Sequence, residues 1–146
     1  MDYKLGFKGQ YVSAVELGNN TPTLTITRVV IEKIESMQKD DEGAGKVRDR
    51  LVVFFREADR GWVLNRTNAE CIVAMWGRDT ESWLNHRVTI FQTQVRVGPK
   101  MEPGIRVKGS PELEKPLVVE VKLPRRKPIP MTLIPTGNGS AAAGAK

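Results

Sequence analysis

Hydrophobic and polar positions alternate along much of this chain, and the alternation divides it into strands. Over residues 21–35, "TPTLTITRVVIEKIE", Leu24 and Ile26 alternate with Thr23, Thr25 and Thr27. A period of two among β-branched residues predicts a strand. The period slips at "RVVI", where Val29, Val30 and Ile31 run together. A slip inside a long strand predicts a bulge or a strong bend. The polar, glycine-containing run "SMQKDDEGAGK" (36–46) reads as a loop. "VRDRLVVFFRE" (47–57) is a second strand, "ADR" a turn and "GWVL" a short third strand. "RVTIFQTQVRV" (87–97) is a fourth, and the loop "GPKMEPG" leads into "IRVKGS", the fifth.

Between the third and fourth strands the period lengthens to that of a helix. Thr67-Asn68-Ala69-Glu70 has the spacing of a capping box. In that motif the Thr67 hydroxyl accepts from the Glu70 amide, and the Glu70 carboxylate reaches back to the Thr67 amide. Ala69, Ile72, Val73 and Trp76 then share one helical face, and Gly77 suits the position after the last turn. A single further helical turn is expected near Asp79 to Trp83. The fold class that follows is all-β: a five-stranded OB-type barrel with one helix between strands three and four, the helix plugging an open end. The alternative is a plain α+β sheet covered by one helix.

After Ser110 the pattern changes. Proline recurs every few residues of "PELEKPLVVEVKLPRRKPIPMTLIP", and proline cannot donate to a sheet ladder. Apart from "PLVVEVKL", residues 111–135 are expected to form an extended proline-rich C-terminal arm. The organisation is then an N-terminal segment (1–20), a barrel (21–110), the arm (111–135) and a low-complexity, disordered tail (136–146).

Composition adds limits more than directions. The chain has 146 residues, 40% of them apolar, enough for one domain with a real core. No run approaches ~18 apolar residues, so no membrane span is expected, and the N-terminus lacks the apolar stretch of a secretion signal. One cysteine makes neither an internal disulfide nor a multi-thiolate zinc site, which suits a reducing, intracellular setting. The net charge is +6, which favours an anionic partner. Residues 21–109 hold 15 basic and 12 acidic side chains, and residues 110–146 hold 6 and 3. With so small an excess in the body of the chain, the placement of the charges matters more than their sum.

Placement singles out the second strand. Leu51, Val53 and Phe55 point one way; Arg48, Arg50, Val52, Phe54 and Arg56 point the other. An aromatic ring among arginines on an outward face suits a base stacked on the ring and phosphates held by guanidinium groups. The competing reading packs Phe54 under the C-terminal arm and leaves the arginines solvated. The fourth and fifth strands repeat the pattern, with Phe91 outward, Arg96 at the strand end, and Arg106 and Lys108 outward. Trp62, opening the third strand, is the tryptophan expected nearest a ligand, whereas Trp76 and Trp83 read as packing residues. In an OB barrel the ligand lies around strands two and three, between the loops that follow strands one and four. These loops, 36–46 and 98–103, carry Lys39, Lys46 and Lys100, but also Asp40, Asp41 and Glu42. "PRRKP" (124–128) is a basic knot in the arm.

Catalysis finds little support. Cys71 lies on the flank of the helical stripe, and the single histidine, His86, belongs to another element. A small packing thiol is the simpler reading. Asp40-Asp41-Glu42 is the one acidic run, and a flexible loop is a poor metal site. No enzyme, metal or cofactor is expected.

The stretch 61–107 also resembles a group of small phage and prophage proteins. The resemblance is carried by "LNRTNA", "WGRDTESW", "HRVTIFQTQV" and "GIRV", with "YVSAVELGNNTPTLTI" fitting less specifically. It implies an OB-fold single-stranded DNA-binding protein of phage replication or recombination, working in the cytoplasm of an infected or lysogenic host. The partners so implied are single-stranded DNA and replication or recombination proteins; stacking and phosphate contacts would serve RNA as well, and an exposed barrel edge or the arm could pair with further copies of the chain. One departure is the C-terminus: many such proteins end in an acidic tail, and this one ends "GSAAAGAK". The expected contact set is Arg48, Arg50, Phe54, Arg56, Trp62, Phe91, Arg96, Arg106 and Lys108. An adaptor acting through the proline-rich arm is the competing function.

Overall fold

Residues 11–35, 47–97, 99–122 and 127–137 are described by the computed structural model, and they are mostly β. Seven strands form one sheet: β1 (Thr23–Glu35), β2 (Val47–Phe55), β3 (Trp62–Val63), β4 (Arg87–Val97), β5 (Lys100–Ser110), β6 (Leu117–Val121) and β7 (Ile129–Pro135). Their order across the sheet is β3-β2-β1-β4-β5-β7-β6. Two α-helices, α1 (Ala14–Leu17) and α2 (Arg66–Trp76), and a 3-10 turn (Thr80–Trp83) complete the described chain.

The slip in the first strand is a physical bend. Thr23–Thr25 pairs with β4, and from Ile26 onward β1 pairs with β2. The register shifts between Ile26 and Arg28, so the extra residue lies at the point where the strand changes partner. The loose carbonyl and amide of Ile26 go to Asn85 and His86, at 2.7 and 2.9 Å. Glu57 caps the same corner, its two carboxylate oxygens accepting from the Thr25 amide and hydroxyl, each at 2.7 Å.

Two expectations fail here. There are seven strands, not five, and the barrel is not closed: β5 neighbours β4 and β7, and β3 stands at the end of the sheet. Other parts of the chain lie along β3 and along the stretch of β5 that β7 does not reach. Tyr11 forms a parallel bridge with Gly61 beside β3. Buried Asn68 of α2 donates to the Ile105 carbonyl at 2.8 Å and accepts from the Val107 amide at 3.3 Å. One side chain thus meets two backbone groups that a neighbouring strand would otherwise meet. In α1, the Ala14 carbonyl accepts from Gln92 of β4 at 2.7 Å, and Leu17 is buried in the core.

The expected proline-rich arm is also corrected. Residues 117–121 and 129–135 form an antiparallel hairpin, and β7 joins β5 in parallel at Gly109–Ile134 and Ser110–Pro135. Proline fits because β5 meets β7 only at these last two residues, so Pro130 owes no amide to β5. Val119, Val121 and Leu133 belong to the same core as Ile26, Phe55 and Ile72. The helix α2 packs against β5 and β6. Its N-cap is Asn65, whose side chain accepts from the Asn68 amide at 2.8 Å, not Thr67 as the capping-box spacing suggested. That moves the helix start by two residues and turns Thr67 and Asn68 inward.

Candidate nucleic-acid interface

The outward face of β1 and β2 is assembled by their register. Arg28 stands beside Phe54, Val30 beside Val52, Glu32 beside Arg50 and Ile34 beside Arg48. The Arg28 guanidinium carbon lies 4.2 Å from the centre of the Phe54 ring, within cation–π range. The ring leans over Gly61, where a Cβ would come within 3.0 Å of Phe54 Cε1 and 2.5 Å of Val52 Cγ1. Glycine at 61 is therefore what lets the ring lie down. Arg50, half-buried, donates to the Leu64 carbonyl at 3.2 Å, and Arg48 is exposed. Arg56, just beyond the strand end, is exposed too, its amide bonded to the Thr25 carbonyl.

Tyr11 crosses this same face. Its backbone is bridged to Gly61 outside β2, yet its hydroxyl donates to Glu32 of β1 at 2.5 Å. Between them lies Val52, which has no exposed surface and yet stands outside the main core cluster. The hydrogen bond to Glu32, helped by burial and by the carboxylate charge, holds the Tyr11 phenol above its ordinary pKa. The face thus carries Phe54 and Tyr11 among Arg28, Arg48 and Arg50, with Glu32 as its acidic member.

The remaining candidates divide. Phe91 faces Arg106 across β4 and β5, both half-buried, and Lys108 is the extra residue where the register slips between Thr89 and Ile90. Burial lowers the Arg106 pKa. Thr89 pairs with Thr23 of β1, whereas Phe54 pairs with Arg28. Phe91 lies two residues farther still, so up to roughly 23 Å of strand separates the two aromatic sites at ~3.3 Å per residue. Arg96 has the opposite parity to Phe91 and lies on the other face of β4. Trp62 is a correction: it is 2% exposed and stacks on Phe55, ring centres 6.2 Å apart, as part of the core. With Leu51, Val53 and Phe55 filling the core side of β2, its partner on β3 at Val53 had to be a core residue as well.

Cys71 is fully buried, and burial pushes its thiol up to about 11, away from nucleophilic chemistry. His86 stacks on Trp76 at 4.8 Å and bonds Glu112 through Nδ1 at 2.5 Å. Glu112 also accepts from the Arg87 amide. Burial raises its pKa, but these bonds outweigh that and leave it below the ordinary range. Trp83 is buried and donates to the Gly77 carbonyl at 2.8 Å, anchoring the turn into β4. Among the described residues no group of three or more His, Cys, Asp or Glu side chains could hold a metal. Asp40, Asp41 and Glu42, together with Lys39, Lys46, Arg125 and Arg126, lie outside the described residues. No described helix is long and apolar enough to cross a membrane.

Arg28 and Tyr11 were not among the sequence candidates. Arg28 sits within the slip of the first strand, where alternation no longer assigns a face. Tyr11 reaches the site only through a bridge to a residue 50 positions away, and strand periodicity carries no record of that. No protein-family model, curated protein or solved structure matches the chain.

Proposed function

We propose that the chain binds single-stranded DNA with little sequence preference, by base stacking and phosphate contacts, in phage DNA replication or recombination. The observation that carries this reading is the outward face of β1 and β2, where Arg28 lies over the Phe54 ring and Arg50 and Arg48 follow along β2 in the same row. A base stacking on Phe54 takes the place of the Arg28 guanidinium and leaves it for a phosphate. The neighbour order β3-β2-β1-β4-β5 supports it: that is the order of an OB fold opened between strands three and five. Phe91, Arg106 and Lys108 form a second contact patch on the β4–β5 hairpin. This reading makes the protein a binding module, not an enzyme.

Titration with a labelled oligonucleotide at two salt concentrations tests the proposal. Single strands should bind more tightly than duplex, and affinity should fall steeply with salt. An RNA oligonucleotide of the same sequence separates DNA from RNA preference. Absence of binding at low salt sinks the reading. The competing adaptor function needs an extended arm, and over 117–121 and 129–135 that arm is sheet.

A further inference from the structure

We infer that Tyr11, from the segment ahead of the first strand, is a second base-stacking ring of the β1–β2 site. The inference rests on the single-stranded DNA reading above and adds a residue to its site. Three observations carry it. Tyr11 lies on the face that holds Phe54, bridged at the glycine over which Phe54 leans. Its hydroxyl is tied to Glu32, in the row of Arg50, so the ring runs from the Phe54 end of the face toward the arginine end. And the residue is only half-buried, so part of its surface remains open to a ligand.

The bond to Glu32 has two effects on such a site. It holds the ring in one orientation before any ligand arrives, which lowers the ordering cost of stacking. It also fixes Glu32, the carboxylate that the described residues place on this face, against the phenol. Fastening by a hydroxyl and an available ring suit an aromatic platform better than a simple apolar lid over Val52, for which leucine would serve.

The test uses the full chain and a thymine-rich oligonucleotide carrying photoreactive 5-iodouracil. Crosslinked peptides are located by mass spectrometry, and affinities are measured for the wild type, Tyr11→Phe, Tyr11→Leu and Phe54→Leu. The expected results are a crosslink at Tyr11, a loss of at most about threefold for Tyr11→Phe, and a loss of roughly five- to a hundredfold for Tyr11→Leu. Crosslinking to the wild type does not depend on how well any variant folds. If the wild type binds and Phe54→Leu weakens it, but no crosslink forms at Tyr11, the inference is overturned and the wider reading survives. If the wild type binds no single strand at low salt, both fall together.

Discussion

Asn68 donates to one backbone group of β5 and accepts from another, and both groups are buried. Removing its amide strands the two at once. Asn68→Ala should therefore cost about 2–4 kcal/mol, since each buried group left without a partner costs about 1–3 kcal/mol. Urea unfolding followed by tryptophan fluorescence measures it. Glu57 offers a test in pH. Burial raises its pKa, but the hydrogen bonds from Thr25 outweigh that and leave it below the ordinary value of 4.5. Its folded pKa lies under its unfolded one, so its contribution is full above pH 4.5 and is lost as pH falls through the folded value. Unfolding midpoints taken between pH 6 and pH 3 should fall less steeply in Glu57→Gln than in the wild type. These residue-level roles were poorly legible in the sequence. Asn68 read as part of a capping box because helix-start spacing is local, while its partners are 37 and 39 residues away.

At the level of elements, Gly109 joins the main sheet to the C-terminal hairpin. It sits at φ 155°, and a Cβ there would lie 1.8 Å from the Ile134 carbonyl oxygen. No rotamer change relieves a clash with backbone, so Gly109→Ala should force β7 away from β5. The expected cost is roughly 3 kcal/mol or more, read as a lowered thermal midpoint. The β1–β2 and β4–β5 pairs were legible because one face of each is core, and a period of two records that directly. The slip at "RVVI" reported the bend for the same reason. The β6–β7 hairpin was not legible. Proline argues against a strand wherever every amide is needed, and only the register shows that β5 reaches no farther than Ile134 and Pro135. Trp62 misled in the opposite way: a two-residue strand is too short for alternation to assign its faces.

For the whole molecule, the hairpin is part of the domain. Ending the chain at Lys115 would remove Val119, Val121 and Leu133 from the shared core. Such a truncation should lose its cooperative thermal transition, whereas an arm merely appended to a finished barrel could be removed without that loss. Circular dichroism on heating distinguishes the two. The electrostatics belong to this scale as well. Arg48→Ala and Arg50→Ala should each lower the slope of log affinity against log salt by about one if each neutralises a phosphate. An unchanged slope in both would remove them from the interface. Charge sum and alternation had pointed to this face, but not to the separation between it and Phe91.

The gap between β3 and β5 has a consequence for how the protein assembles and opens. The β1–β2 and β4–β5 pairs join segments close in sequence, so each closes a short loop at small entropic cost. The pieces that fasten the gap come from far apart along the chain: Tyr11 with Gly61, and Asn68 with Ile105 and Val107. Contacts of such separation form late when a chain folds. They are isolated bonds, a bridge at Gly61 and side-chain bonds from Asn68 and Gln92, instead of a ladder. The gap should then be the last part to knit and the first to part. Amide hydrogens of Val12 and Val107 would exchange with solvent sooner than those of Val53 or Ile90, a seam that loosens while the sheet around it stays whole.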